Sequence, residues 1–210
     1  SLVQLKEMWE DPSVEIAGHG YMHKNTVEDI TLGVDALKSH FRDCVRKNEQ
    51  WGFASPGTGL DLDYYRENKS VLMRHGIVYT RLSLRYGYHP MLNVLSRKIS
   101  RVLHAPFFYK WAYKDTLMDR VEDGLVYSVP VLASVLVNEL MGLVGLAVKR
   151  KQLLVLMFHS IVEGEQQRDA WDYPAVKFRE LCRRLAEKKK RGLLDVVTTM
   201  DAYRMLVKEY

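Results

Sequence analysis

Apolar positions recur along the chain with two periods, and their alternation sets the expected architecture. Leu2–Glu10 reads as a helix stopped by Asp11-Pro12. Residues 14–17, Val-Glu-Ile-Ala, read as a strand broken by Gly18-His19-Gly20. Thr26 is placed to cap a helix, with Asp29 in the capping-box position. Ile30, Val34, Leu37, Phe41 and Cys44/Val45 then follow the 3.6-residue period. Trp51–Ala54 predicts a strand, ended by the turn Ser55-Pro56-Gly57-Thr58-Gly59. A helix from about 61 to 75 stops at Gly76, and a strand follows over 77–80. Residues 82–124 hold aromatics without a clean period and predict helices and loops. Order returns with a strand over 125–129, a helix over 131–148 and a strand over 153–158. An amphipathic helix over 174–190 closes at Gly192 and precedes a strand over 193–197. Thr198-Thr199 caps a final helix. Strands alternating with helices imply a parallel sheet covered by helices, as an open sheet or a barrel.

Composition narrows the classes. At 210 residues and 24.4 kDa the chain makes one full domain, or at most two small ones, with one expected, and its 47% hydrophobic content excludes disorder. Its two cysteines, Cys44 and Cys182, form no C-x-x-C pair and read as free, half-buried thiols. The net charge of +5 is modest, and Lys188-Lys189-Lys190-Arg191 sits at a helix end, where cations favour the dipole. No interleaved aromatic and basic motif points to nucleic acid. The apolar stretch 129–148 raises a membrane question, but it carries Pro130 near its start and Asn138-Glu139 at its middle, so no membrane span is expected. The start, Ser1-Leu2-Val3, lacks methionine and reads as that of a fragment. Localisation is therefore open, with a cytoplasmic setting slightly favoured.

In parallel β/α folds, functional residues gather on the loops after the strands. Three such loops carry candidate chemistry. His19-Gly20-Tyr21-Met22-His23 spaces two imidazoles four apart, which lets both reach one divalent ion. The second loop is Ser55–Gly59, and the third is His159-Ser160. Loop or cap histidines explain the first pair equally well, and a satisfied core histidine explains His159.

Taken in order, these segments resemble the polysaccharide deacetylases, the carbohydrate esterases of family four. Glu15-Ile16-Ala17-Gly18-His19-Gly20-Tyr21-Met22-His23 is similar to that family's strand and H-[ST]-x-x-H motif, with glycine for Ser/Thr. Phe53-Ala54-Ser55-Pro56-Gly57-Thr58-Gly59 is similar to its R-P-P-[YF]-G loop. Residues 154–160, Leu-Val-Leu-Met-Phe-His-Ser, match its late strand ending in histidine. The tail, with Phe178, Leu181 and Leu185 followed by Val196-Val197-Thr198, is similar to its closing helix and strand. Only residues 82–124 go unmatched.

The resemblance implies a distorted, incomplete β/α barrel and metal-dependent hydrolysis of the amide of an N-acetylated sugar. His19 and His23 would hold zinc, with cobalt or nickel as alternatives. His159, as imidazolium, would donate a proton to the leaving amine. The Pro56–Gly57 turn would help hold the oxyanion, and Tyr21, Trp171 and Tyr173 are candidates to stack on the sugar. Two departures stand out. The family's Asp-Asp strand end, which supplies base and third ligand, has no counterpart before His19, so the first strand is expected to be missing. Ala54 occupies the place of an arginine that orients the base, and Arg81 is a candidate substitute. Asp61 or Asp63 could stand in as ligand or base. A catalytically silent carbohydrate-binding domain and a plain α/β scaffold are the competing readings. An incomplete barrel would expose strand edges, so a homo-oligomer is expected, with the 131–148 helix contributing.

Overall fold

About half of the chain is helical, and its strands are short and paired in parallel. The structure, a computed structural model, describes residues 1–44, 49–57, 60–85, 90–164 and 168–207. Val45, Thr58 and Gly59, named above, lie outside the described residues. The chain divides into two units, each stitched together from separated segments. The first comprises 1–83, 120–126 and 197–210; the second comprises 84–119 and 127–196.

The first unit opens with α1 (Leu2–Glu10), whose bounds are those the pattern predicts. Its Trp9 stacks on Phe41 at 4.4 Å and on Trp51 at 5.3 Å, so three aromatics spaced along the sequence make one buried pile. The expected strand at 14–17 does not form. That segment touches the sheet at its end alone, where Gly18 bridges Phe53 in parallel and Gly18 N–H donates to Gly52 O at 2.9 Å. α2 (Val27–His40) follows, capped by Thr26. β1 (Trp51–Ala54), α3 (Leu62–Arg74) and β2 (Ile77–Leu82) then build a parallel βαβ crossover, with Asp61 capping α3 through the N–H groups of Asp63 and Tyr64. Gly76 turns the chain into β2 at φ +80°, a conformation open to glycine without strain. β3 (Leu125–Tyr127) completes the sheet in the order β1-β2-β3. The residues expected as a strand over 193–197 lie outside every strand, and the chain then enters α8 (Thr199–Leu206) under the expected Thr198 cap.

The second unit is helical at its heart. α4 (Pro90–Leu103) and α5 (Pro106–Tyr113) pack on each other, α6 (Val137–Arg150) packs on α5, and α7 (Ala175–Lys190) packs on α6. Val129, Val131, Leu140, Leu143 and Tyr173 are buried in its core. α6 begins six residues later than the apolar run suggests. Ala133 N–H donates to Ala170 O and Val135 N–H to Leu132 O, so the chain turns before Leu136, and Glu139 accepts from Leu136 N–H at 2.7 Å. Leu140, Leu143, Val144 and Ala147 of α6 are buried in this core. β4 (Val129–Pro130) pairs with β5 (Leu156–Met157), and β6 (Ser160–Val162) pairs with β7 (Asp172–Pro174). The late strand expected over 153–158 is thus only two residues long.

Among the described residues the strands form three separate small sheets and no closed barrel. The α/β class holds in this coarser form. No described helix is long and apolar enough to cross a membrane. Cys44 is buried and Cys182 exposed, both as free thiols.

Candidate functional site

The loop carrying His19 and His23 is built around one buried carboxylate. Asp29 accepts from Met22 N–H at 2.7 Å and from Lys24 N–H at 2.8 Å, while its backbone carbonyl accepts from Tyr21 N–H at 3.1 Å. Thr26 Oγ1 accepts from Asp29 N–H, as a capping box requires, but the Asp29 side chain turns away to the loop. The loop needs unusual backbone. Gly20 sits at φ +81°, where an added Cβ would lie 2.5 Å from Asp29 Oδ2. His23 itself adopts φ +60°, a left-handed conformation that side-chain-bearing residues rarely take. Gly33 of α2 lets the loop backbone approach the helix, since a Cβ there would stand 3.0 Å from Tyr21 N.

This geometry gives the first prediction. Asp29→Ala leaves the Met22 and Lys24 N–H groups without their acceptor, and is expected to cost about 1–3 kcal/mol of stability. Urea denaturation measures the cost. Amide exchange at Met22 and Lys24 should accelerate, and unchanged protection there would sink the assignment.

The same structure brings this loop onto the Ser55–Gly57 turn. His19 Nδ1 lies 2.7 Å from Ala54 O, and because a carbonyl only accepts, Nδ1 carries a proton, the tautomer whose neutral ring leaves the lone pair on Nε2. Asn25 Nδ2 donates to Pro56 O at 3.0 Å, and Ser55 Oγ donates to Asn25 Oδ1 at 2.9 Å. The His19 and His23 rings meet edge to face at 4.7 Å, both exposed. Tyr21 and Met22 stand exposed beside them. β2 places Arg81 in register with Ala54, and Arg81 O accepts from Ser55 N–H at 3.0 Å. Burial lowers the Arg81 guanidinium pKa, with Tyr79 acting in the opposite sense. Arg81 thus lies within β2, one residue from its end, and not after the strand as the pattern places it.

Asp61 and Asp63 are engaged elsewhere. The Asp61 carboxylate caps α3, and Asp63 pairs with Arg66 at 3.1 Å. Among the described residues no group of three or more His, Cys, Asp or Glu is placed to hold a metal. The donor set at this loop is two imidazoles. They fit part of a divalent-ion site, one of them oriented from behind by a carbonyl as metal-binding histidines commonly are.

His159 and Trp171 belong to the second unit. His159 is exposed, which excludes the core-histidine explanation, and its ring lies 6.1 Å from that of Trp171. A second carboxylate organises this loop. Asp172 accepts from Ser160 Oγ, from Arg168 N–H at 2.8 Å and from Asp169 N–H at 3.2 Å. The Ser160 hydroxyl is the first of the bonds that hold its carboxyl below the ordinary aspartate range. Trp171 N–H in turn donates to Asp169 Oδ1 at 2.6 Å. An open hollow lined by Ala133, Ser134, Arg168, Asp169 and Ala170 adjoins it. Tyr173 is a correction: its side chain is fully buried, burial pushes its hydroxyl up to about 12, and it cannot stack on a ligand.

The residue pattern leaves Asn25 and Asp172 unmarked and marks Asp29 only as a cap, not as the acceptor for the loop. Asp29 had a signal, since a carboxylate at the third helical position can serve a preceding loop as readily as its own cap. No family model, curated protein or solved structure matches this chain.

Proposed function

We propose that this chain serves metal-dependent deacetylation of an N-acetylated carbohydrate, with His19 and His23 as imidazole ligands of a divalent ion, zinc in the first instance. What supports the reading is the meeting of two loops distant in sequence, with His19 anchored on Ala54 O and its Nε2 left free. When bound, such an ion supplies Lewis-acid polarisation of the acetyl carbonyl and a more acidic water. The chain's own residues orient the substrate. The exposed Tyr21 ring offers a stacking face beside the imidazoles, and the Pro56–Gly57 turn, held by Asn25, offers a backbone donor to the developing oxyanion. Trp171 of the second unit is exposed, and a stacking role for it rests on the resemblance alone. His159 protonates the leaving amine, a role that rests on the resemblance. Open edges on the short sheets keep a homo-oligomer within the proposal, with light scattering as its measurement.

One observation favours a second reading. Asp29 and Asp61 are committed to backbone N–H groups, so two imidazoles without a carboxylate suit a domain that binds a carbohydrate without turning it over.

Calorimetric titration with zinc tests the site. The wild-type chain should take up about one ion, weakly for lack of a third ligand, and His19→Ala/His23→Ala should take up none. Stoichiometric metal in the double variant would overturn the site. Acetate release from a chitin oligomer supports the deacetylase; binding of the oligomer without release supports the silent domain.

A further inference from the structure

The unmatched middle of the chain folds into a helical hairpin, α4 and α5, that is inside out for a water-facing element. On α4 the small hydroxyl residues Ser96 and Ser100 are turned inward and fully buried, while Leu95 and Val102 point outward. A helix exposed to water places its polar residues the other way round. At the tip of the hairpin Val102 is 77% exposed, Leu103 58% and Phe107 67%, and Trp111 follows one turn beyond Phe107 on the same face. Large apolar side chains clustered in this way mark an interaction site rather than scattered surface residues.

The charge of the hairpin selects the occupant. Between Pro90 and Lys114 the chain carries Arg97, Lys98, Arg101, Lys110 and Lys114 and no aspartate or glutamate. Lys114 Nζ lies 5.9 Å from the centre of the Trp111 ring, so a cation flanks the aromatic anchor. A second copy of this chain seated symmetrically here would oppose one cationic face to another. Exposed apolar and aromatic side chains backed by lysine and arginine, with no acid among them, are the chemistry of an interfacial helix on an anionic bilayer. Length agrees. The 14 residues of α4 extend about 21 Å, short of the roughly 30 Å of a hydrocarbon core, so the hairpin lies in the interface and does not span.

We infer that the α4–α5 hairpin docks this protein on an anionic lipid surface, with Phe107 and Trp111 entering the headgroup boundary and the flanking cations facing lipid phosphates. This docking is independent of the deacetylase reading and needs neither metal nor His19 and His23.

Co-sedimentation of the full chain with vesicles of phosphatidylcholine containing about 30% phosphatidylserine tests it. The wild type should bind these vesicles and not pure phosphatidylcholine, release as salt approaches about 0.5 M, and shift its tryptophan emission to the blue on binding. Phe107→Ser/Trp111→Ser should weaken partitioning about 100-fold. Lys98→Glu/Lys114→Glu should weaken it at least about tenfold and keeps the test available should the first variant misfold. His19→Ala/His23→Ala should bind as the wild type does. Absence of binding, equal binding to neutral vesicles, or full binding by the serine variant would overturn the inference. So would a wild-type homodimer that the serine substitutions dissolve, because the face would then belong to a second copy.

Discussion

Replacing His159 by alanine is expected to lower turnover on an N-acetyl sugar by about 10²–10⁴-fold, the range for a lost general acid, and to leave the fold intact. The two halves of this expectation come from different places. The kinetic half follows from the proposed role: without a proton the leaving amine departs as an anion, and nothing in the alanine side chain replaces it. The stability half follows from position. His159 is exposed at the start of β6, and the loop around it is held by Asp172 and Asp169 rather than by the imidazole. Removal of such a surface ring should move unfolding by no more than about 0.5 kcal/mol. Zinc uptake should be unchanged, since the proposed ligands are His19 and His23. Initial rates compared with thermal melting for the same preparations decide the matter. Activity retained per folded molecule, or a variant that melts early, would remove His159 from the chemistry.

The other large effect is on stability. Gly52→Ala is expected to destabilise the first unit by about 3–5 kcal/mol. Gly52 lies where the register between β1 and β2 shifts, directly beside Tyr79, and an added Cβ would stand 2.1 Å from the phenol carbon and 2.2 Å from its oxygen. The ring has little freedom to move. It is buried, and its hydroxyl donates to Glu15 Oε1 at 2.5 Å, while the other Glu15 oxygen accepts from Met200 N–H at 2.7 Å. Burial, and then the neighbouring Glu15, push the Tyr79 hydroxyl well above its ordinary pKa, so the phenol stays a donor. Displacing it strands a partly buried carboxylate and unpins the start of α8. Urea denaturation should show the midpoint falling at constant slope. A midpoint within experimental error of the wild type would mean that the sheet yields instead of the ring.

Local chemistry was what the sequence made legible. The α1 bounds, the Thr26 and Thr198 caps and the Gly76 turn all follow from side chains acting within a few residues, and each is found where the pattern puts it. Strand extent was less legible, because pairing depends on a partner. Residues 14–17 are apolar enough for a strand but meet β1 only at Gly18, and the apolar run 153–158 pairs in parallel over Leu156–Met157 alone. The start of α6 was misplaced because the run Val131 to Val137 is broken only by Ser134, which a helix tolerates, while the turn in it is made by backbone bonds to Ala170 and Leu132. For the site, the histidines announced themselves by type and spacing. The carboxylates that shape their loops did not: Asp29 showed only as a cap position and Asp172 not at all, since both act on backbone N–H groups.

The segmented make-up of the first unit has a consequence for synthesis. Met200 must reach Glu15 across 185 residues, and Val121 N–H must find Leu206 O. At about 5–20 residues per second a ribosome takes roughly 10–40 s to make the chain between Glu15 and Met200. Through that interval the aromatic pile of Trp9, Phe41 and Trp51 can form, but the acceptor for Met200 waits, and the sheet stays without its closing helix. The second unit, begun later, has all its segments by residue 196 and can finish first. The unit carrying His19 and His23 is therefore the last to be completed, and until then the apolar side of its sheet is the surface a chaperone would find.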